Sequence, residues 1–213
     1  MKKIKAIYCD FDGTITKEDS VNLFFEKYAS KKWMDSEKLW IEGKISSREN
    51  AIIQVGLLKN VSEEQLEDYI NAIEIDDYFL DFVDFVKSKN IKLTILSDGF
   101  DLFIQRVLDR YNLDIPYYAN KLTYKNGKFS IEFPYFNEDC DKKAGMCKCE
   151  KVTENSFCYI GDGTSDLCIA SKADLLFASK NLHKYCKDNN IKHSHFTSFR
   201  NIIDVLKKET EHA

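Results

Sequence analysis

The chain reads as an α/β protein: a parallel sheet flanked by helices, with a helical insertion after its first strand. Three observations predict this. Short apolar runs recur and stop at carboxylates or hydroxyls, as buried parallel strands do at their carboxyl ends. Stretches of helical spacing separate those runs, the pattern of strands joined by crossover helices. Between about residues 17 and 75 the spacing stays helical and no strand intervenes.

The first run, Lys5–Cys9, leads straight into Asp10. Val21, Phe24, Phe25 and Tyr28 then fall at i, i+3, i+4 and i+7. Ser46 with Glu49 forms a capping box before a helix carrying Ala51, Ile52, Val55 and Leu58, and Ser62 with Gln65 repeats it before Leu66, Tyr69, Ile70 and Ile73. Residues 1–16 and 76–213 are therefore expected to form the core, with 17–75 inserted as a helical cap. Phe79, Phe82, Val83 and Val86 make the next helix face, Asn90 suits its C-terminal end, and Ile91–Leu96 is a strand. A helix follows from about Phe100 to Tyr111. Leu122, Tyr124, Phe129, Ile131 and Phe133 alternate around Asn126-Gly127, a β-hairpin with a type I′ turn. Phe157–Ile160 and Leu175–Ala178 are two further strands.

At 213 residues the chain is long enough for one α/β core and a modest insertion. Its net charge of −4 provides no basic footprint for nucleic acid. No apolar run approaches the ~18 residues that span a bilayer, so no membrane partner is expected. The basic start is followed by too short an apolar stretch for a signal peptide. Seven cysteines are an odd number, and Cys9, Cys158, Cys168 and Cys186 sit singly in apolar or helical settings, which suits a reducing, cytoplasmic address. No signal specifies an oligomeric state.

Three polar clusters each follow an apolar strand: Asp10–Thr16, Ser97-Asp98-Gly99, and Gly161–Asp166. Ligands of open parallel sheets bind outside the carboxyl ends of the strands, so the clusters should converge. Asp10, Asp12, Asp162 and Asp166 would repel one another there unless a divalent cation neutralised them, and an all-oxygen donor set suits Mg²⁺. A carboxylate held in line with phosphorus can act as nucleophile. Asp12, two residues on, shares a strand face with Asp10 and can serve as general acid and base. The Ser97 hydroxyl, backbone amides and one lysine can hold phosphate oxygens.

These clusters resemble motifs I, II and IV of the haloacid dehalogenase superfamily, in order and across the chain. The resemblance implies a Rossmann-like core with a C1-type cap, and an Mg²⁺-dependent phosphatase of a small phosphorylated metabolite acting through a phosphoaspartate. By that pattern Asp10 is nucleophile and metal ligand, and Asp12 is acid/base, ligating through its carbonyl. Asp162 ligates the metal, Asp166 supports it through waters, and Ser97-Asp98-Gly99 binds phosphate. The family's lysine falls among Lys142, Lys143, Lys148 and Lys151. Lys148 is chosen because Gly145–Lys148 resembles a phosphoserine-phosphatase-like subgroup that includes a methionine-salvage phosphatase and phosphoethanolamine/phosphocholine phosphatases. A methionine-salvage ester is the expected substrate, with phosphoethanolamine, phosphocholine, phosphoserine and pyridoxal phosphate as alternatives. Asp19 stands about where phosphoserine phosphatases carry a longer Glu, so it is a specificity candidate and counts against phosphoserine.

Plainer readings compete. Ser97 can simply cap the helix after it, Asp19 or Ser20 the helix near Val21, and Gly163–Ser165 can be only a tight turn. Cys140, Cys147 and Cys149 can pack the loop around Lys148 or ligate zinc. The four histidines, with His193 and His195 near a late strand and His212 on the tail, read as surface residues. A phosphoaccepting receiver domain would share the acidic pocket, but Asp12 and the cap oppose it.

Overall fold

The computed structural model describes residues 4–140 and 143–211, so Lys142 and His212 lie outside the described residues. β1 (Ala6–Cys9) sits at the centre of a seven-stranded sheet of order β4-β3-β2-β1-β5-β6-β7. It pairs in parallel with β2 (Lys92–Phe100) and β5 (Phe157–Gly161). β6 (Leu175–Ala178) and β7 (Ser194–His195) extend one side in parallel. On the other, β3 (Tyr117–Lys125) runs parallel to β2, and β4 (Lys128–Glu132) turns back antiparallel. The hairpin thus continues the main sheet instead of standing apart from it. Asn126 and Gly127 hold φ of 51° and 77°, as a type I′ turn requires.

Alternation along β1 shows why its run is apolar throughout. Ile7 and Cys9 join one buried cluster, while Ala6 and Tyr8 join another on the opposite face. The first cluster is covered by α5 (Phe79–Ser88), α6 (Asp101–Arg110) and α9 (Phe199–Glu211), with Phe79 and Phe82 meeting Phe199 at 5.0 and 4.8 Å. α7 (Leu167–Ala170) and α8 (Lys180–Asp188) cover the second. Among the described residues no helix is long and apolar enough to cross a membrane.

Four helices lie between β1 and α5: α1 (Ser20–Tyr28), α2 (Trp33–Ile41), α3 (Ser47–Gly56) and α4 (Glu63–Asn71). Both expected capping boxes form, at Ser46/Glu49 and Ser62/Gln65. An isolated antiparallel bridge between Thr16 and Ile75 ties the two ends of this segment together. Phe24 packs it down, its ring 5.2 Å from Phe103 on α6 and 5.6 Å from Phe129 on β4. One helix is turned differently from the expected face. On α3, Ile52 is 46% exposed while the polar Asn50 and Gln54 are buried beside Val55. The reason is polar: both amides donate to Glu37 Oε2 on α2, at 2.8 and 3.0 Å.

Candidate active site

β1 and β5 end side by side, and this brings Asp10 and Asp162 together. After Asp10 the chain tightens, with Thr14, Ile15 and Thr16 all donating backbone N–H to Phe11 O. Gly13 sits at φ 72°, and a Cβ there would lie 2.6 Å from Asp162 Oδ2, so only glycine serves. Carboxylate oxygens of Asp10, Asp162 and Asp166 converge within 4.8 Å of one another. Among the described residues this is the one group of three His, Cys, Asp or Glu side chains placed to hold a metal. The thiols of Cys140, Cys147 and Cys149 do not form such a group, and all seven cysteines are unpaired.

Each carboxylate has its own partners. Asp10 Oδ1 accepts from Phe11 N at 2.8 Å and pairs with Lys148 Nζ at 3.0 Å. Asp166 accepts from Lys148 Nζ at 2.5 Å, from Tyr159 OH at 2.5 Å, and from the backbone N–H of Asp162 and Gly163 at 2.9 Å each. Asp162 accepts from Thr14 Oγ1 at 3.0 Å and pairs with Lys180 Nζ at 3.1 Å, a lysine that also donates to Gly13 O at 2.6 Å.

The charge balance remains negative. Burial and then Asp166 raise the Asp10 carboxyl well above its ordinary range, against the pull of Lys148. Burial and Asp166 raise Asp162 likewise, against Lys180. Burial alone would lower Lys148, but Asp10 and Asp166 drive it upward. Carboxylates that resist ionisation so close together are those a divalent cation would relieve, and a buried all-oxygen cluster of this kind can bind one.

Asp12 stands beside the triad rather than in it. Its carboxylate accepts from Ser97 Oγ at 3.2 Å and from Ser20 Oγ, while Tyr69 OH donates to Ser20 O. Burial raises its pKa, and those two hydroxyls oppose the rise. A carboxyl whose pKa is raised by burial and that two hydroxyls hold in place suits proton transfer. Gly99 passes close: a Cβ there would collide with Asp12 Oδ2.

Ser97 does not cap α6. It lies within β2, 1% exposed, and its Oγ accepts from Gly99 N at 2.9 Å while donating to Asp12. Asp98, expected to bind phosphate, has its carboxylate committed elsewhere. It accepts from Met146 N at 2.9 Å and Asn120 Nδ2 at 3.1 Å, which braces the loop before Lys148. Its side chain thus serves as a brace for that loop, while the residue also borders the chamber. Of the lysines, Lys148 is 1% exposed and faces the triad. Lys151 instead lies over the rings of Tyr118 and Tyr135, 5.7 and 4.9 Å from their centroids. Asp19 both caps α1, accepting from Asn22 N at 2.8 Å, and borders the chamber above the triad. Burial and then Asp12 push its pKa up to about 7.

Sequence reasoning missed four contacts. Lys180 starts the helix after β6, so the end of a fourth neighbouring strand was the signal available. Tyr159 lies in an apolar run, where a buried hydroxyl needs a partner. Ser20 and Thr14 have no signal beyond proximity to Asp12.

The fold and the acidic centre are those of a class of hydrolases, and the family match places the chain in it. Residues 7–171 match the family described as haloacid dehalogenase-like hydrolase, and the chain belongs to that family. A 2-hydroxy-3-keto-5-methylthiopentenyl-1-phosphate phosphatase from Bacillus cereus is 30% identical over 94% of this chain and 95% of its own. One of the same name from Bacillus velezensis is 29% identical over 95% and 89%. Among solved structures, a phosphoaspartyl-intermediate analogue of phosphoserine phosphatase superposes with a TM-score of 0.73 at 24% identity, covering 96% of this chain and 99% of that one. Substrate-bound phosphoserine phosphatase gives 0.71 at 22%, covering 96% and 99%. At these identities the structures establish the shared fold alone.

Proposed function

We propose that the protein is an Mg²⁺-dependent phosphomonoesterase that attacks its substrate with Asp10, and that residues 17–75 form a cap over a core of 1–16 and 76–213. The observation that carries this reading is the buried triad Asp10, Asp162 and Asp166 with Lys148 against it. Asp10, Asp162 and the Asp12 carbonyl would hold Mg²⁺, with Asp166 supporting it through waters. When bound, Mg²⁺ neutralises the carboxylates and polarises the phosphoryl group.

The chain's own groups do the rest. Asp10 attacks phosphorus, Asp12 protonates the departing alkoxide, and the same Asp12, now a base, takes a proton from the water that hydrolyses the phosphoaspartate. Ser97 and Lys148 hold phosphoryl oxygens as charge develops. The proposed substrate is a small phosphate ester of the methionine-salvage type. Support comes from the named relatives and from a chamber wall of Val21, Trp40, Ile41 and Ala51, which suits an alkyl tail. Unpaired cysteines are consistent with a cytoplasmic setting.

Turnover of p-nitrophenyl phosphate with Mg²⁺ tests the reading. Sustained hydrolysis that stops on chelation supports it. Stable, stoichiometric labelling without turnover would instead mark a phosphoaccepting signalling domain. A panel holding the methionine-salvage ester, phosphoethanolamine, phosphocholine, phosphoserine and pyridoxal phosphate then ranks substrates.

A further inference from the structure

The chamber above the triad, about 410 Å³, is closed on the far side by α2 and α3. Glu37, Asn50 and Gln54 all border it, and they form one polar unit linking α2 to α3. Asn50 is 5% exposed and Gln54 3%. Asn50 Nδ2 donates to Glu37 Oε2, which fixes the amide's orientation, because a flipped amide would set oxygen against carboxylate. Its Oδ1 is buried with no hydrogen-bond partner. Buried amide oxygens are rarely left so, and the Asn50 side chain borders the chamber from which a donor would come.

The charge of the chamber points the same way. Glu18, Asp19 and Glu37 border it on the cap side. Among the described residues that border it, the one cation is Lys180, already paired with Asp162. Lys148 lies against Asp10 and Asp166, and Arg48 of α3 is turned onto Phe133 and Phe136, 5.2 and 4.7 Å from their centroids. A carboxylate on the substrate would meet no free cation here and would face like charge.

We infer that Glu37 and Asn50 form a leaving-group subsite that reads a hydrogen-bond donor on the substrate's alcohol, a hydroxyl or an ammonium, and rejects esters whose alcohol carries a carboxylate. Gln54 is a positioning residue that holds Glu37. This rests on the phosphatase reading above.

The test measures kcat/KM with Mg²⁺ for four esters: p-nitrophenyl phosphate, with no donor; glycerol 2-phosphate, with hydroxyls; phosphoethanolamine, with an ammonium; and phosphoserine, with a carboxylate beside its ammonium. Wild type should favour the better of the two donor esters over phosphoserine by at least 100-fold. Asn50→Ala and Glu37→Gln should each lower kcat/KM for that donor ester at least tenfold, yet change p-nitrophenyl phosphate less than threefold, which also reports a sound fold. Glu37→Gln should weaken the ammonium ester more than the hydroxyl ester. Equal losses on the donor ester and on p-nitrophenyl phosphate would overturn the subsite, as would phosphoserine turnover matching phosphoethanolamine. A wild type inert toward p-nitrophenyl phosphate would instead remove the phosphatase reading beneath it.

Discussion

Replacing Lys148 with Met keeps most of its volume and deletes its charge. The ammonium lies 3.0 Å from Asp10 Oδ1 and 2.5 Å from Asp166 Oδ1, within a nearly sealed site. At an effective dielectric of about 20, two charges 3 Å apart attract by roughly 5 kcal/mol. Most of that is offset by the desolvation of the charges, and breaking a buried pair from one side costs a net ~3–5 kcal/mol. Here the lower end applies, because Asp10 already resists ionisation and can take up a proton. Urea unfolding in EDTA should therefore show Lys148→Met less stable by about 3 kcal/mol, and Mg²⁺ should recover part of the loss. In steady-state kinetics, loss of a charged phosphate clamp should lower kcat by about 10²–10³. Lys151→Met is the control: its ammonium lies over two half-buried tyrosine rings, worth ~0.5–2 kcal/mol, and kcat should change less than threefold. If Lys151→Met proved the more damaging of the two, or Lys148→Met kept activity within threefold, the assignment of the lysine would be wrong.

Chelation should stop hydrolysis and Mg²⁺ restore it, and Asp162→Ala should raise the Mg²⁺ needed for half-maximal activity at least tenfold; unchanged activity in EDTA would refute this. Asp19, raised from the ordinary carboxylate value to about 7, binds its proton more tightly folded than unfolded. Its contribution to stability is therefore present below pH ~4 and lost as pH rises through about 7, an effect on the order of 4 kcal/mol. Thermal melts of metal-free Asp19→Asn should show a smaller loss of stability over that window, since Asn still caps α1; parallel profiles would contradict it. Replacing Cys147 and Cys149 together with Ser should leave kcat within threefold, read in the same assay. Stoichiometric zinc that disappears with those thiols would overturn the packing role.

The strands and their terminal motifs were legible because a buried parallel strand must be apolar until it meets ligand, and each of β1, β2 and β5 ends in its polar cluster. Capping boxes at Ser46 and Ser62 and the Asn126-Gly127 turn are local chemistry, read without knowledge of the fold. What lay hidden was tertiary. The buried face of α3 holds Asn50 and Gln54 because Glu37 on another helix satisfies them, so apolar periodicity pointed to Ile52 instead. Asp98 sits in a segment expected to bind phosphate, but the partners of its carboxylate, Asn120 and Met146, come from segments 22 and 48 residues away. Lys180 reaches Gly13 O of motif I across 167 residues as well as Asp162, with only its place after β6 to announce it.

If the proposed chemistry holds, Asp10 carries the phosphoryl group between the two steps. Acid-quenched single turnovers with a ³²P-labelled phosphate ester, followed by peptide mapping, address it directly. Hydroxylamine-labile phosphate is expected on the peptide containing Asp10, and none on Asp10→Asn, which should also be folded and inactive. Label on a different residue, or Asp10→Asn turning over within tenfold of wild type, would contradict it.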